Sequence, residues 1–269
     1  MSAALWRFEL AAARRTRTVP LFAAGFAIAS VAVALVGLSA GGVVQVQGFA
    51  RTSVSLMQLV IWIVPLLALI IGAVAGAESY DMEFVTALPL ARSRVLVVRW
   101  GAWTVALGAA LLIGLGAAGL VIGIFAGGAD AGRYFALIVV SWLLLAATLA
   151  IGFAIGVVGH TRARATALAI VVWFVLVIGI DLLAIGSLAV LPARGAGWGL
   201  TLLLAADPVD AARTLGLGLF QADALAGPTG AALRQVLGGF GAWMLLAALA
   251  AWTAAPLALA CRRFQRRDL

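Results

Sequence analysis

Long stretches without charge constrain this chain more than any other feature of its sequence. They are residues 18–50, 52–77, 100–129, 134–159, 165–193 (broken only by Asp181) and 235–261. Each provides at least the ~20 apolar residues that a helix needs to cross the hydrocarbon core of a bilayer. None shows the alternating polarity of the strands in a membrane barrel. The sequence therefore predicts an all-α integral membrane protein with six transmembrane helices.

The predicted arrangement is a single transmembrane domain over residues 1–269. Its spans cover about residues 20–40, 53–76, 99–126, 134–158, 166–190 and 237–260. Before the first span, residues 2–18 combine apolar and arginine positions and favour a helix that lies along the membrane surface; a plain basic flank is the other interpretation. Between the last two spans, residues 191–236 form an external segment that should hold one or two short helices.

The distribution of arginine predicts the orientation. Thirteen of the eighteen basic residues, all of them arginine, lie near the two termini and in the second and fourth connections. Basic residues accumulate on the cytoplasmic side of membrane proteins, so both termini should be cytoplasmic. This bias and the attraction of anionic membrane lipids explain the net charge of +8, so a nucleic-acid partner is not needed.

One connection concentrates charge in an otherwise apolar chain. Its charged residues are Glu78, Asp81, Glu83, Arg92, Arg94 and Arg99. Acidic residues suit the first turns of a helix, and Phe84 and Leu88 are spaced four apart on one helical face. Pro89 should end such a helix. We predict a cytoplasmic helix over about 77–89 that could dock a soluble partner, and the alternative is an ordinary loop with flanking arginines.

Polar residues and prolines within the spans are candidates for a pathway or a gate. Gln58 and Pro65 lie in the second span, where the proline should kink the helix, although prolines are common in membrane helices. Asp181 is the one charge inside a span. Because a carboxylate in lipid is costly, it should face a pathway or a second copy, or form a structural hydrogen bond near the outer interface.

The external segment carries a helix-start signal. Asp207 can cap a helix that begins at Pro208, with Asp210 at the third helical position, and Arg213 follows. These four residues are candidates for contact with an external partner or for a gate. In the fourth span, Gly152 and the glycine four residues later form a small-residue motif that supports close helix packing, either within one bundle or between copies.

Several kinds of chemistry are not expected. The chain has no lysine and therefore no P-loop lysine, and His160 and Cys261 cannot form a metal site by themselves. Hydrolase and metalloprotease motifs are missing, and no carboxylate pair lies within a predicted span. We expect neither a catalytic residue nor a bound metal in this chain.

The charged connection also resembles a known segment. The resemblance rests on Glu78, Glu83, Thr86, Leu88-Pro89-Leu90, Arg92-Ser93-Arg94 and Arg99. In this order they are similar to the first cytoplasmic loop of ABC-2 type permeases, in which the coupling helix fits a groove on the ATPase subunit. The sequence departs from the commonest form at Arg99, where lysine is frequent, and at Val85, where glycine is frequent.

Three further stretches, at 51–69, 172–183 and 202–213, resemble one branch of this family, which includes the permease of the nitrous oxide reductase maturation system. The family form of the last stretch is roughly Leu-Leu-Asn-Pro-x-Asp-x-x-Arg. Here Asp207 stands in place of the asparagine. The resemblance runs from about residue 5 to 265, and it indicates the architecture more specifically than the cargo.

The resemblance implies a homodimer in the bacterial inner membrane with two separate P-loop ATPase subunits, which bind the ATP and Mg. The ATPase-coupling residues would be Glu78, Asp81, Glu83, Phe84, Leu88, Pro89, Arg92 and Arg94. The assembly would couple ATP hydrolysis to export, or to conformational work on a periplasmic or accessory protein. A non-transport membrane scaffold or sensor subunit is the alternative from another class, and a secondary transporter is the third.

Overall fold

The computed structural model describes residues 2–39, 45–78, 92–126, 130–159, 161–179, 204–221 and 240–265. Within these ranges the chain consists of helices and short connections, without a β-strand. The helices are α1 (Ser2–Arg15), α2 (Thr18–Ser39), α3 (Gln45–Glu78), α4 (Arg92–Ala126), α5 (Ala131–Gly159), α6 (Arg162–Phe174), α7 (Pro208–Gln221) and α8 (Gly241–Gln265). A single π-helical turn, Val175–Gly179, continues α6.

In the described part, six helices are long and apolar enough to cross a membrane, which confirms the fold class and the number of spans. They are α2, α3 from Thr52, α4, α5, α6 with its π-helical turn, and α8. Several helices extend beyond the predicted spans, most of all α3, which begins at Gln45, and α4, which begins at Arg92. Charge marks the edge of the hydrocarbon core but does not end a helix, so α4 continues through its arginines.

We name the two ends of the helix bundle. The basic end is the end at which Glu78, Arg99 and Arg162 meet, and the far end is the opposite one, where Asp130 begins the approach to α5. At the basic end, α1 lies across α4, and its Trp6 ring packs against Gly101, where an added Cβ would come within 2.8 Å of the ring.

The centre of the bundle is the contact between α3 and α5. A Cβ added at Gly72 would lie 2.6 Å from the Leu149 carbonyl oxygen, and one at Gly152 would lie 2.6 Å from the Leu69 carbonyl oxygen. Each helix carries two such glycines one turn apart, so the two backbones touch directly. Small residues allow this approach, and dispersion then holds the helices together in lipid. Of the two interpretations of the Gly152 motif, the structure therefore shows packing within one bundle.

The other membrane helices pack around α3 and α5. α2 packs along α4, while α6 lies against α3 and α8 against α5. Indole N–H groups tie neighbours together: Trp100 donates to the Ala146 carbonyl at 3.3 Å, and Trp173 donates to the Trp62 carbonyl at 3.2 Å. Burial is uneven, since 61% of the apolar window of α3 is buried but only 22% of those of α2 and α6. The outer helices therefore present apolar surface to lipid or to another protein.

Candidate functional site

Four charged residues meet at the basic end, and we call them the basic-end ion cluster: Glu9, Glu78, Arg99 and Arg162. Arg99 on α4 donates from Nη2 to Glu78 Oε2 at 3.1 Å, and its Nε lies 3.9 Å from Glu9 Oε2 on α1. Arg162, the first residue of α6, places Nη2 3.4 Å from the other Glu78 oxygen. One cluster thus joins four helices: α1, the end of α3, the start of α4 and the start of α6.

The inner half of this cluster is buried and the outer half is not. Arg99 is 7% exposed and Glu9 is 3% exposed, whereas the Arg162 side chain is 65% exposed. Burial raises the pKa of Glu9 above its ordinary value, and the nearby Arg99 charge lowers it in part. An exposed ion pair contributes little to stability, but a buried charge without its partner is costly. Arg99 is therefore the residue on which the cluster depends.

The cluster lies at the base of the predicted coupling segment. Glu78 is the last residue of α3, and α4 begins at Arg92, so residues 79–91 connect the two helices that Glu78 and Arg99 tie together. A force applied to that segment would act on α3 and α4 at once, and through the cluster on α1 and α6. In the described ranges, no group of three or more side chains that could hold a metal ion occurs.

The structure places only some of the predicted coupling residues. Glu78 belongs to α3 and pairs with arginines of its own chain. Arg94 is exposed in the first turns of α4, and Arg92 begins that helix. The other predicted coupling residues, Asp81, Glu83, Phe84, Leu88 and Pro89, lie outside the described residues.

The sequence prediction missed Glu9. It is the only acidic residue before Glu78, in a helix that otherwise carries arginines. A single carboxylate among arginines on an amphipathic helix could have suggested a buried partner. Its partner could not be identified from the sequence, because Arg99 is ninety residues away in the chain.

A second site is formed by α7, which is a half-helix rather than a span. Just before it, the Ala205 carbonyl accepts a hydrogen bond at 3.2 Å from the indole of Trp252, which lies near the middle of α8. Further along, Gly216 packs against Met57 near the far end of α3. The helix therefore starts at the middle level of the bundle and runs toward the far end, packed against α3, α5 and α8.

The start of α7 has the predicted cap. Asp207 Oδ1 accepts a hydrogen bond from the Val209 amide at 3.0 Å, and the helix begins at Pro208. Asp210, in the first turn, is paired with Arg213 at 2.9 Å. Asp207 is 0% exposed and Asp210 5% exposed. The sequence thus predicted the cap but not how deep it lies in the bundle. Two buried carboxylates, which belong to none of the membrane-spanning helices, lie inside the bundle.

The remaining pathway candidates have different surroundings. Gln58 is exposed on α3, and Pro65 is buried within the same helix. Asp181 lies outside the described residues. The exposed amide of Gln58 lies within the candidate membrane span of α3, Thr52–Glu78, so a polar group faces outward from this span.

Comparisons with known proteins identify the family of the chain. A family model described as "ABC-2 family transporter protein" matches residues 10–269. The "Probable ABC transporter permease protein NosY" of Pseudomonas aeruginosa is 30% identical over 98% of this chain and 97% of its own length. The protein of that name from Stutzerimonas stutzeri is 28% identical over 97% of this chain and 96% of its own length. The chain therefore belongs to the ABC-2 family of transporter membrane proteins.

Proposed function

We propose that this chain is the membrane-spanning subunit of an ABC-2 transporter and works as a homodimer with two separate ATPase subunits. ATP hydrolysis in those subunits drives either export or conformational work on a periplasmic partner. The family implies an ATPase partner, and the chain itself has no lysine for a P-loop. ATP and Mg therefore bind to the partner.

The observation that carries this proposal is the basic-end ion cluster. An ATPase that pushes on residues 79–91 acts on a segment whose two ends are joined through Arg99 and Glu78. The same cluster reaches α1 through Glu9 and α6 through Arg162. A force at this local contact is thereby distributed over four helices through connected ion pairs, which is one kind of network that can couple two sites.

The proposal sets the orientation of the bundle. ATPase subunits work in the cytoplasm, where ATP is, and the excess of arginine at the basic end agrees with a cytoplasmic position for that end. Both termini are then cytoplasmic, and α1 lies along the inner leaflet of the bacterial inner membrane. Exposed arginines on α1, such as Arg7 and Arg14, suit anionic lipid headgroups.

The polar surface on α3 supports the homodimer. Gln58 is exposed at membrane depth, and an amide that faces hydrocarbon without a partner is unfavourable. Two neighbours on the same side, Trp62 and Trp173, join α3 to α6 with their ring centroids 6.0 Å apart. A second copy of the chain, or a polar pathway between two copies, would cover this surface.

The first experiment is co-expression with a candidate P-loop ATPase from the same genome, followed by isolation and reconstitution of the complex. We expect the two proteins to co-purify and to hydrolyse ATP. Glu83→Arg should weaken the association by reversing a charge in the coupling segment. Asp130→Asn, at the far end, is the matched control and should leave both readouts unchanged.

Failure to isolate any ATPase with the wild-type chain would contradict the proposal. It would favour the scaffold or sensor role, in which charge changes at Glu78 or Glu83 have no effect on function. For the homodimer, Gln58→Cys in a Cys261→Ser background should cross-link two copies, whereas Leu112→Cys on the exposed side of α4 should not. Cross-linking from Leu112→Cys with none from Gln58→Cys would indicate that the dimer interface lies on another face of the bundle.

A further inference from the structure

The carboxyl group of Asp207 is in an unusual position for a charged group. It is 0% exposed, at the start of the half-helix and level with the middle of α8. One oxygen accepts the Val209 amide hydrogen bond. The other, Oδ2, is buried and has no hydrogen-bond partner among the described residues. A buried carboxylate with an unsatisfied oxygen is costly when ionised, and protonation removes most of that cost.

In the part of the chain that the structure describes, the elements packed against α7 carry no compensating charge near the level of Asp207. Those elements are α3, α5, α8 and the π-helical turn after α6. Their charged residues in the described ranges lie near the helix ends: Arg51, Glu78, Arg133, Arg262 and Arg263. Their other titratable groups are already engaged, because the Tyr134 hydroxyl donates to the Leu115 carbonyl and the Cys261 thiol to the Ser93 carbonyl.

On α7 itself the nearest charges are Asp210 and Arg213, and they form a pair with each other. Burial is the main cause that raises the pKa of Asp207 to about 7, and the Asp210 charge acts in the same direction. The backbone amides of Val209 and Asp210 and the Arg213 charge act against it. Since Arg213 is bound to Asp210, it does not neutralise Asp207 directly. The site therefore favours a neutral side chain.

Asparagine has nearly the shape of a protonated aspartic acid, and it makes a useful comparison at this position. Both can cap a helix through a side-chain oxygen. Aspartate differs in that it can release the proton when water reaches it.

We propose that Asp207 is a proton-binding residue: it holds a proton while α7 is packed in the bundle and releases it when the half-helix moves and the site becomes hydrated. Movement of α7 is thereby linked to pH. The packed state binds the proton more tightly, so packing is most favoured below the ordinary pKa of 3.8. This advantage is lost as the pH rises to about 7, and above that value it no longer changes.

Opening of α7 can be measured by the labelling of a buried cysteine. Thr214 lies on α7 and is 6% exposed, and Thr214→Cys in a Cys261→Ser background preserves its size. The labelling rate with a membrane-permeant maleimide is compared with that of the same chain carrying Asp207→Asn. In the ratio of the two rates, the effect of thiol ionisation on reactivity cancels. We expect the ratio of the two rates to rise with pH, by up to about tenfold per unit, until about pH 7 and then to level off.

The proton itself can be observed by an infrared titration of the purified full chain. The carbonyl band of a protonated carboxyl group should decrease through the neutral range in the wild type but not in Asp207→Asn. Asp130→Asn removes a partly exposed carboxylate that also precedes a helix and is paired with Arg133, and it should behave like the wild type. A labelling ratio that is independent of pH, or infrared titrations that are identical with and without Asp207, would overturn the proposal.

Both measurements are made without an ATPase. A negative result therefore refutes proton binding at Asp207 and leaves the transporter role untouched. Failure to isolate an ATPase partner would refute the transporter role and leave the proton site standing.

Discussion

Replacing Arg99 with methionine should be among the most damaging single changes in the described part of this chain. Methionine has a similar length and preserves helix propensity, so the change removes the charge and little else. Arg99 is 7% exposed and lies between two carboxylates, Glu78 at 3.1 Å and Glu9 at 3.9 Å. Without it, Glu9 remains buried and has no other cation within ion-pair distance among the described residues, while Glu78 keeps Arg162.

The magnitude follows from this asymmetry. Removing one partner of a buried ion pair costs about 3–5 kcal/mol, and Glu9, 3% exposed, meets that description. Glu78, whose side chain is 29% exposed, is hydrated and adds little. The double variant Glu9→Gln/Arg99→Met contains no orphaned charge at position 9, and it should recover at least about half of the loss.

The free energy of unfolding can be measured in mixed micelles, with the fluorescence of the nine tryptophans as the signal. Arg94→Met is the control, since Arg94 lies on the same helix but is exposed, and it should change stability by about 0.5 kcal/mol or less. If Arg99→Met costs no more than Arg94→Met, or if the double variant is no more stable than Arg99→Met, the cluster does not hold the helices as described.

Three further changes test the packing and electrostatics of the bundle. Gly152→Ala places a Cβ 2.6 Å from a backbone oxygen and should cost about 1–3 kcal/mol of stability, whereas Gly116→Ala, which meets nothing within 4 Å, should be neutral or stabilising by up to about 1 kcal/mol. Trp173→Phe keeps a ring beside Trp62 but loses the indole hydrogen bond, and it should lower the free energy of unfolding by about 1 kcal/mol. Glu9→Gln should remove one contribution to the pH dependence of the free energy of unfolding. Because burial raises the pKa of Glu9 in the folded state, the stability of the wild type relative to this variant should fall as the pH rises above 4.5. Curves of stability against pH that run parallel for the two proteins would contradict that assignment.

Much of the fold could be predicted because its determinants are local. Some twenty apolar residues indicate each span, and the sequence Asp207-Pro208 indicates the start of α7. The depth of α7 could not be predicted, since a cap signal is the same at the surface and in the interior. Tertiary contacts, such as those with Trp252 and Met57, place the half-helix inside the bundle.

Part of the candidate site could also be predicted, because that part depends on local sequence. The charge-rich connection after Glu78 is evident in the sequence, and so is the excess of arginine at one end. The roles of Glu9 and Arg99 as buried partners depend on α1 lying across α4, which is a tertiary contact. The motif at Gly152 likewise predicted close packing, and its partner glycine Gly72 is known only from the fold.

The central claim is that an ATPase docks at the basic end, and site-directed cross-linking tests it directly. The chain has no lysine and one cysteine, so in a Cys261→Ser background a single introduced cysteine defines one end of a cysteine-to-amine cross-linker. Apart from the terminal amine of this chain, the other end must react with a partner. We predict that Arg94→Cys, exposed at the start of α4, cross-links to the ATPase and that Asp130→Cys at the far end does not. Cross-linking from Asp130→Cys with none from Arg94→Cys would contradict the account.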